Sequence, residues 1–265
     1  MPPTLDRAAL HTELPTECAS ANVVVDLEQI QYPGIFGTGF FARRNNEVFY
    51  FTALHCMRTN PGEDFPKFAT LMVPYRHTGK TNSPEDFIQV DAGFTIGGSA
   101  PTDWLDLFVC PVANTTRSED FSHLLARCAI LPASGAWLDD YMASEDGHRA
   151  IGSGQNAGCV VGHPRGSPRN AIAYAEEGGE SVVSTETVVL DGRVAQSKLQ
   201  GHLALLCDPS PYGFPGFSGS PVFAPVQTQR WPRLSEHRLA CDKWTGLGWS
   251  LSSLGPCQAA GGVPG

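Results

Sequence analysis

The chain has 265 residues, enough for one large or two small compact domains with true cores. A formal net charge of −9, with no basic stripe, argues against a nucleic-acid partner. Only 17% of residues are charged while Gly and Pro number 28 and 21, a balance of turn-formers over charge that points to a soluble β-rich protein.

Residues 1–20, MPPTLDRAALHTELPTECAS, hold acids and no apolar run, so they read as an N-terminal tail and not as a secretory signal. No run of 18 apolar residues follows, so neither a membrane span nor a membrane partner is expected. Short apolar runs bounded by Gly, Pro, Asn and Asp predict strands over 22–27, 34–43, 47–54, 68–75, 86–96 and 105–112, a first β module within 21–115. Residues 116–150 read as a connector. In it, Ser118 stands three residues before Phe121, and apolar residues at 121, 124, 125 and 129 predict a short N-capped helix. A second series of strands, over 159–163, 181–190, 201–207, 220–226 and 245–251, makes a second β module within 151–253. Residues 254–265 form a Gly/Pro-rich tail with neither strand nor helix period. Eight cysteines without an export signal predict reduced thiols and a cytoplasmic location, and the absence of any CxxC pair argues against a zinc site.

The stretch GFPGFSGSPVF (213–223) sets Ser218 between glycines and brackets it with Pro215 and Pro221. Glycine permits strained or left-handed backbone, and proline stiffens a turn at a strand boundary. A surface turn would use the same residues. A serine hydroxyl becomes a useful nucleophile only when a base takes its proton and a third group orients that base. Of eight histidines, His55 in FTALHCM has the context for this, at the end of the apolar run FYFTAL. Asp106, in WLDLFV, is expected to be held out of bulk water by Leu105, Leu107, Phe108 and Val109 while accepting hydrogen bonds. Asp103 is the fallback carboxylate. The order His, Asp, Ser differs from the Asp, His, Ser of subtilisin-like enzymes and the Ser, Asp, His of α/β-hydrolases.

TALHC, DLFV and GFSGSP together resemble the three signature segments of the chymotrypsin-like serine peptidases, with the bacterial trypsin-like peptidase domains as the nearest group. CVVGHPRG (159–166) is similar to a turn that such domains place early in their second barrel. The resemblance spans roughly residues 20 to 252. It implies an all-β fold of two six-stranded antiparallel β-barrels with a short connector helix. The patternless tail leaves the second barrel either closed differently or incomplete. The implied activity is that of a serine endopeptidase acting on a protein or peptide, with no cofactor and no metal. Ser218 would be the nucleophile, His55 the general base, Asp106 its orienting partner, and the amides of Gly216 and Ser218 the oxyanion hole. The pocket for the substrate side chain would involve Tyr212, Trp249 and Ser250; Tyr212, six residues before the serine, is no acid, so no Lys/Arg preference is implied. Phe217 replaces the acidic residue that pairs with a freed N-terminus in activated relatives, so the intact chain is expected to need no cleavage and to bury Phe217. The alternatives are a catalytically weak or inactive module binding extended peptides on the same fold, and an esterase or acyl transferase using the same atoms. The sequence sets no oligomeric state.

Overall fold

The computed structural model describes residues 16–26, 29–57, 71–74, 87–89, 92–95, 106–112, 118–131, 136–145, 147–148, 158–173, 182–196, 203–207, 210–225 and 244–247. Over these the chain is mostly antiparallel β-sheet with few helices. Strands β1 (Ala19–Asp26), β2 (Gln29–Arg44), β3 (Glu47–Thr52), β4 (Leu71–Pro74), β5 (Phe87–Gln89), β6 (Phe94–Thr95) and β7 (Phe108–Val112) join one sheet in the order β5-β4-β1-β2-β3-β7-β6. A short β8 (Ala129–Ile130) pairs with β2 in parallel. The β2–β3 hairpin turns at Asn45, whose φ of 57° is in the left-handed region that asparagine tolerates.

β3 explains how this sheet is used. Alternate side chains of a strand point to opposite faces. Val48 and Tyr50 join Phe41, Leu71, Val73 and Phe108 on one face, beneath helix α1 (Ser118–Arg127), which contributes Phe121 and Leu124. Phe51, with Phe40 and Ala42 of β2 and Val109 of β7, belongs to the opposite face. There it meets Cys159, Val161 and Phe223 of a second sheet. Both faces of β3 are therefore covered, which is why EVFYFT is buried almost without a break.

The second half of the chain supplies β9 (Gly158–Gly162), β10 (Ala171–Ala173), β11 (Val182–Ser184), β12 (Val188–Gln196), β13 (Leu203–Cys207), β14 (Val222–Pro225) and β15 (Trp244–Leu247). Five of these form a sheet in the order β13-β12-β9-β14-β15, and β10 pairs with β11. Its central strand β9, GCVVG, is buried at every position. Between the halves lie α1 and α2 (Trp137–Ala143).

The expected strand over 86–96 divides into β5 and β6, and that over 181–190 into β11 and a β12 that runs on to Gln196. The predicted run over 105–112 becomes strand only at Phe108, because Asp106 sits in a bend ahead of it. β10 and α2 had no counterpart among the predicted elements; three small residues, AIA, and a seven-residue turn of helix carry too little period to announce themselves. Cys56, Cys110, Cys128 and Cys159 are buried. Burial pushes the thiols of Cys128 and Cys159 up to about 12 and that of Cys110 higher still, so these three stay protonated and inert at neutral pH. Cys241 and Cys257 lie outside the described residues. Among the described residues, no helix is long and apolar enough to cross a membrane.

α1 ends on a buried cation. The Arg127 guanidinium, 6% exposed, donates to the carbonyls of Glu17 (2.6 Å), Ala19 (2.8 Å) and Pro74 (3.1 Å) and to Ser20 Oγ (2.8 Å). It also lies 5.2 Å from the centroid of the Phe41 ring. Burial pulls its pKa down to about 10, which leaves it charged at neutral pH.

Candidate active site

β3 stops at Thr52, and the chain tightens into a 3₁₀ turn, Leu54–Met57, that sets His55 on the surface. Leu54 and Cys56 on either side are buried, so the turn is anchored while the imidazole stays accessible. Asp106 holds this histidine twice. One carboxylate oxygen accepts the His55 backbone N–H at 2.9 Å, and the other makes a short contact with Nδ1. A bidentate hold of this kind fixes the ring's orientation and the tautomer, leaving Nε2 for chemistry.

The contact also sets the charge. The hydrogen bond to Asp106 is the main reason the His55 pKa rises from 6.5 to about 10; a side-chain interaction with Cys56 adds to it, and partial burial opposes it. Asp106 was expected to be withdrawn from water, and the structure corrects this: its side chain is 39% exposed, beside a His55 side chain 48% exposed. Because Asp106 falls in the bend and not within β7, its apolar neighbours Leu107 and Phe108 turn inward without covering it.

The loop carrying Ser218 is seated against the turn that carries His55. The Ser218 carbonyl accepts the Thr38 N–H at 2.9 Å and faces Cys56 Sγ at 3.7 Å, one residue from His55. Gly219 has φ +83°, and a Cβ there would lie 2.1 Å from the Thr38 carbonyl oxygen and 2.7 Å from the Ala53 nitrogen. Only glycine fits, and its absence of a side chain is what lets the serine approach. Gly216, at φ +100°, is as tightly held: a Cβ would meet the His163 carbonyl oxygen at 2.3 Å and the Arg165 nitrogen at 2.5 Å. The turn's own hydrogen bonds use the amides of Phe217 (to Phe214 O, 3.0 Å) and Ser220 (to Phe217 O, 3.0 Å). Among the described residues the amides of Gly216 and Ser218 donate to no protein acceptor. Ser218 is half-buried, whereas its neighbour Ser220 is 8% exposed, which leaves Ser218 as the accessible hydroxyl of the pair.

Phe217 is buried to 1% exposure, as its replacement of an acid suggested, with its ring against the position a Gly162 side chain would occupy. Burying such a ring contributes about 1.5–3 kcal/mol to holding the loop down. Tyr212 is half-buried in the turn before the loop, its N–H donating to Ser210 Oγ at 3.2 Å. Trp249 and Ser250 lie outside the described residues, as does Asp103.

A buried polar network under the site had no place in the sequence reading. Thr38 Oγ1 donates to the Gly216 carbonyl at 2.7 Å and accepts the His163 N–H at 2.8 Å, tying β2 to both loops of the second half. Asn22 donates to Thr52 Oγ1 (2.7 Å) and accepts from Tyr50 Oη (2.6 Å), and Thr52 Oγ1 donates to the Thr38 carbonyl (2.9 Å). The available signal was the presence of Asn22, Thr38 and Thr52 inside otherwise apolar strands, where a polar side chain must be satisfied internally. Among the described residues, no group of three His, Cys, Asp or Glu side chains could hold a metal ion.

No family model and no curated protein matches this chain. Among solved structures, one from a study of how aromatic interactions drive coupled folding and binding of the intrinsically disordered Sesbania mosaic virus VPg protein aligns with it. The alignment has 13% identity and a TM-score of 0.34, over 77% of this chain and 73% of that one. A likeness that slight bears on neither fold nor function.

Proposed function

We propose that this protein is a serine endopeptidase. Ser218 attacks the carbonyl of a peptide bond, His55 takes the serine proton and returns it to the leaving amine, and Asp106 orients His55 and stabilises its charged form. The oxyanion forms against the Gly216 and Ser218 amides, where one donor is worth about 2.7–4 kcal/mol. The observation that carries this reading is the double hold of Asp106 on His55, beside a glycine-seated serine loop whose two candidate amides have no other acceptor. On the same reading the two large sheets are the halves of two antiparallel barrels, and the buried thiols suit a reducing, cytoplasmic setting.

A second reading draws on one observation. A histidine whose pKa stands near 10 is charged at neutral pH, and an imidazolium cannot accept the serine proton. That favours the inactive module, which would bind an extended peptide without cleaving it. An active-site-directed fluorophosphonate separates the two. Labelling of the intact chain that disappears in Ser218→Ala is the expected result, and no labelling up to pH 9 would leave the binding module as the better account.

A further inference from the structure

We propose that Arg165, lying over the Phe36 ring, forms a substrate subsite for a carboxylate within a residue or two of the scissile bond. The proposal rests on the peptidase reading and deepens it. Both members of this cation–ring pair spring from backbone that abuts the Ser218 loop. The Arg165 N–H donates to the Pro215 carbonyl at 2.9 Å, next to Gly216. Phe36 precedes Gly37, where a Cβ would lie 3.1 Å from the Ser218 carbonyl oxygen. From these two roots the guanidinium comes to rest 5.3 Å from the centroid of the Phe36 ring.

The pair is exposed: Phe36 is 43% accessible, and Arg165 is on the surface. Arg165 has no carboxylate among the described residues, whereas Arg169, four residues on, bonds Glu186 at 3.0 Å. A guanidinium over a ring face keeps its five N–H donors, which match a planar, bidentate acceptor. The backbone beneath it is fixed. Asn170 Nδ2 donates to the Pro164 carbonyl at 2.7 Å, and Asn170 Oδ1 accepts the Glu186 N–H at 2.9 Å. A cation whose backbone is tied to the Ser218 loop, on a chain of net charge −9, is a selecting element for an acid. The carboxylate could belong to an Asp or Glu side chain or to the free C-terminus of a short peptide.

The test uses the full chain carrying Ser218→Ala and fluorescein-labelled octapeptides of alanine and glycine. In these, a single Glu, Gln or Lys is moved along the sequence, with the C-terminus free or amidated. Binding is read by anisotropy. At the best position, Glu over Gln is expected to gain about three- to fivefold in affinity, the scale of an exposed charge pair. The gain should vanish in Arg165→Ala, turn to favour Lys in Arg165→Glu, and fade in 1 M NaCl, where screening acts within about 3 Å. A gain that follows the free terminus instead of the Glu position assigns the carboxylate to the chain end. Equal affinity for Glu and Gln peptides with equal affinity for free and amidated ends, or a preference that survives Arg165→Ala, overturns the proposal. Because binding to Ser218→Ala involves no chemistry, failure of fluorophosphonate labelling in the parent chain would sink the peptidase reading separately.

Discussion

His55 and Asp106 tie acid–base behaviour to stability through one contact. The folded pKa of His55, about 10, stands above its ordinary 6.5, so the pair stabilises the fold fully below pH 6.5 and loses that contribution as pH rises through about 10. Urea midpoints measured from pH 6 to 10.5 should therefore fall more steeply for the parent chain than for Asp106→Asn, in which the principal cause of the shift is gone. Equal slopes would contradict the coupling. For catalysis the base must be neutral, so kcat/KM should climb along a limb displaced to the alkaline side of 6.5, and Asp106→Asn should move that limb back towards it. On the scale of such triads, Ser218→Ala should lower kcat about 10⁶-fold and Asp106→Asn about 10⁴-fold. The three residues were readable because chain order and apolar flanks are local properties. The exposure of Asp106 was not readable, because it turns on β7 beginning at Phe108 and not at 105, where the apolar run starts.

At the scale of elements, the serine loop depends on two residues that never touch a substrate in this scheme. Gly219→Ala puts a methyl group 2.1 Å from the Thr38 carbonyl oxygen at a positive φ, with backbone strain of about 1–3 kcal/mol. The loop must lift, and fluorophosphonate labelling should be lost while the circular dichroism spectrum of the sheets is kept; retained labelling would show that the loop has slack. Phe217→Ala should cost about 3–5 kcal/mol in stability by emptying the space under the same loop, measured by urea unfolding. Most strands were legible from apolar runs and their Gly/Pro boundaries, and α1 from its spacing and Ser118. Splits such as β5 and β6 were not, since a break in hydrogen bonding leaves hydrophobicity unchanged.

Across the whole molecule, the sequence could show two β modules but not how they meet, because the contact of Phe40, Phe51 and Val109 with Cys159, Val161 and Phe223 joins residues far apart in the chain. Thr38 is the polar counterpart of that seam, reaching 125 residues to His163 and 178 to Gly216. Thr38→Val keeps its shape and removes both hydrogen bonds, so a loss of about 1–3 kcal/mol is expected together with weaker fluorophosphonate labelling. Unchanged stability would mean that water replaces the hydroxyl. Arg127 has a consequence of another kind, one of timing. The carbonyls of Glu17, Ala19 and Pro74 receive their guanidinium from a residue 110, 108 and 53 positions later. On a ribosome, which delivers the chain from its N-terminus, β1 and β4 would emerge before the guanidinium that ties them together and could not settle fully until α1 had been made. Nascent chains arrested with residue 115 exposed should be cut by protease within 16–26, and chains arrested with residue 131 exposed should resist it.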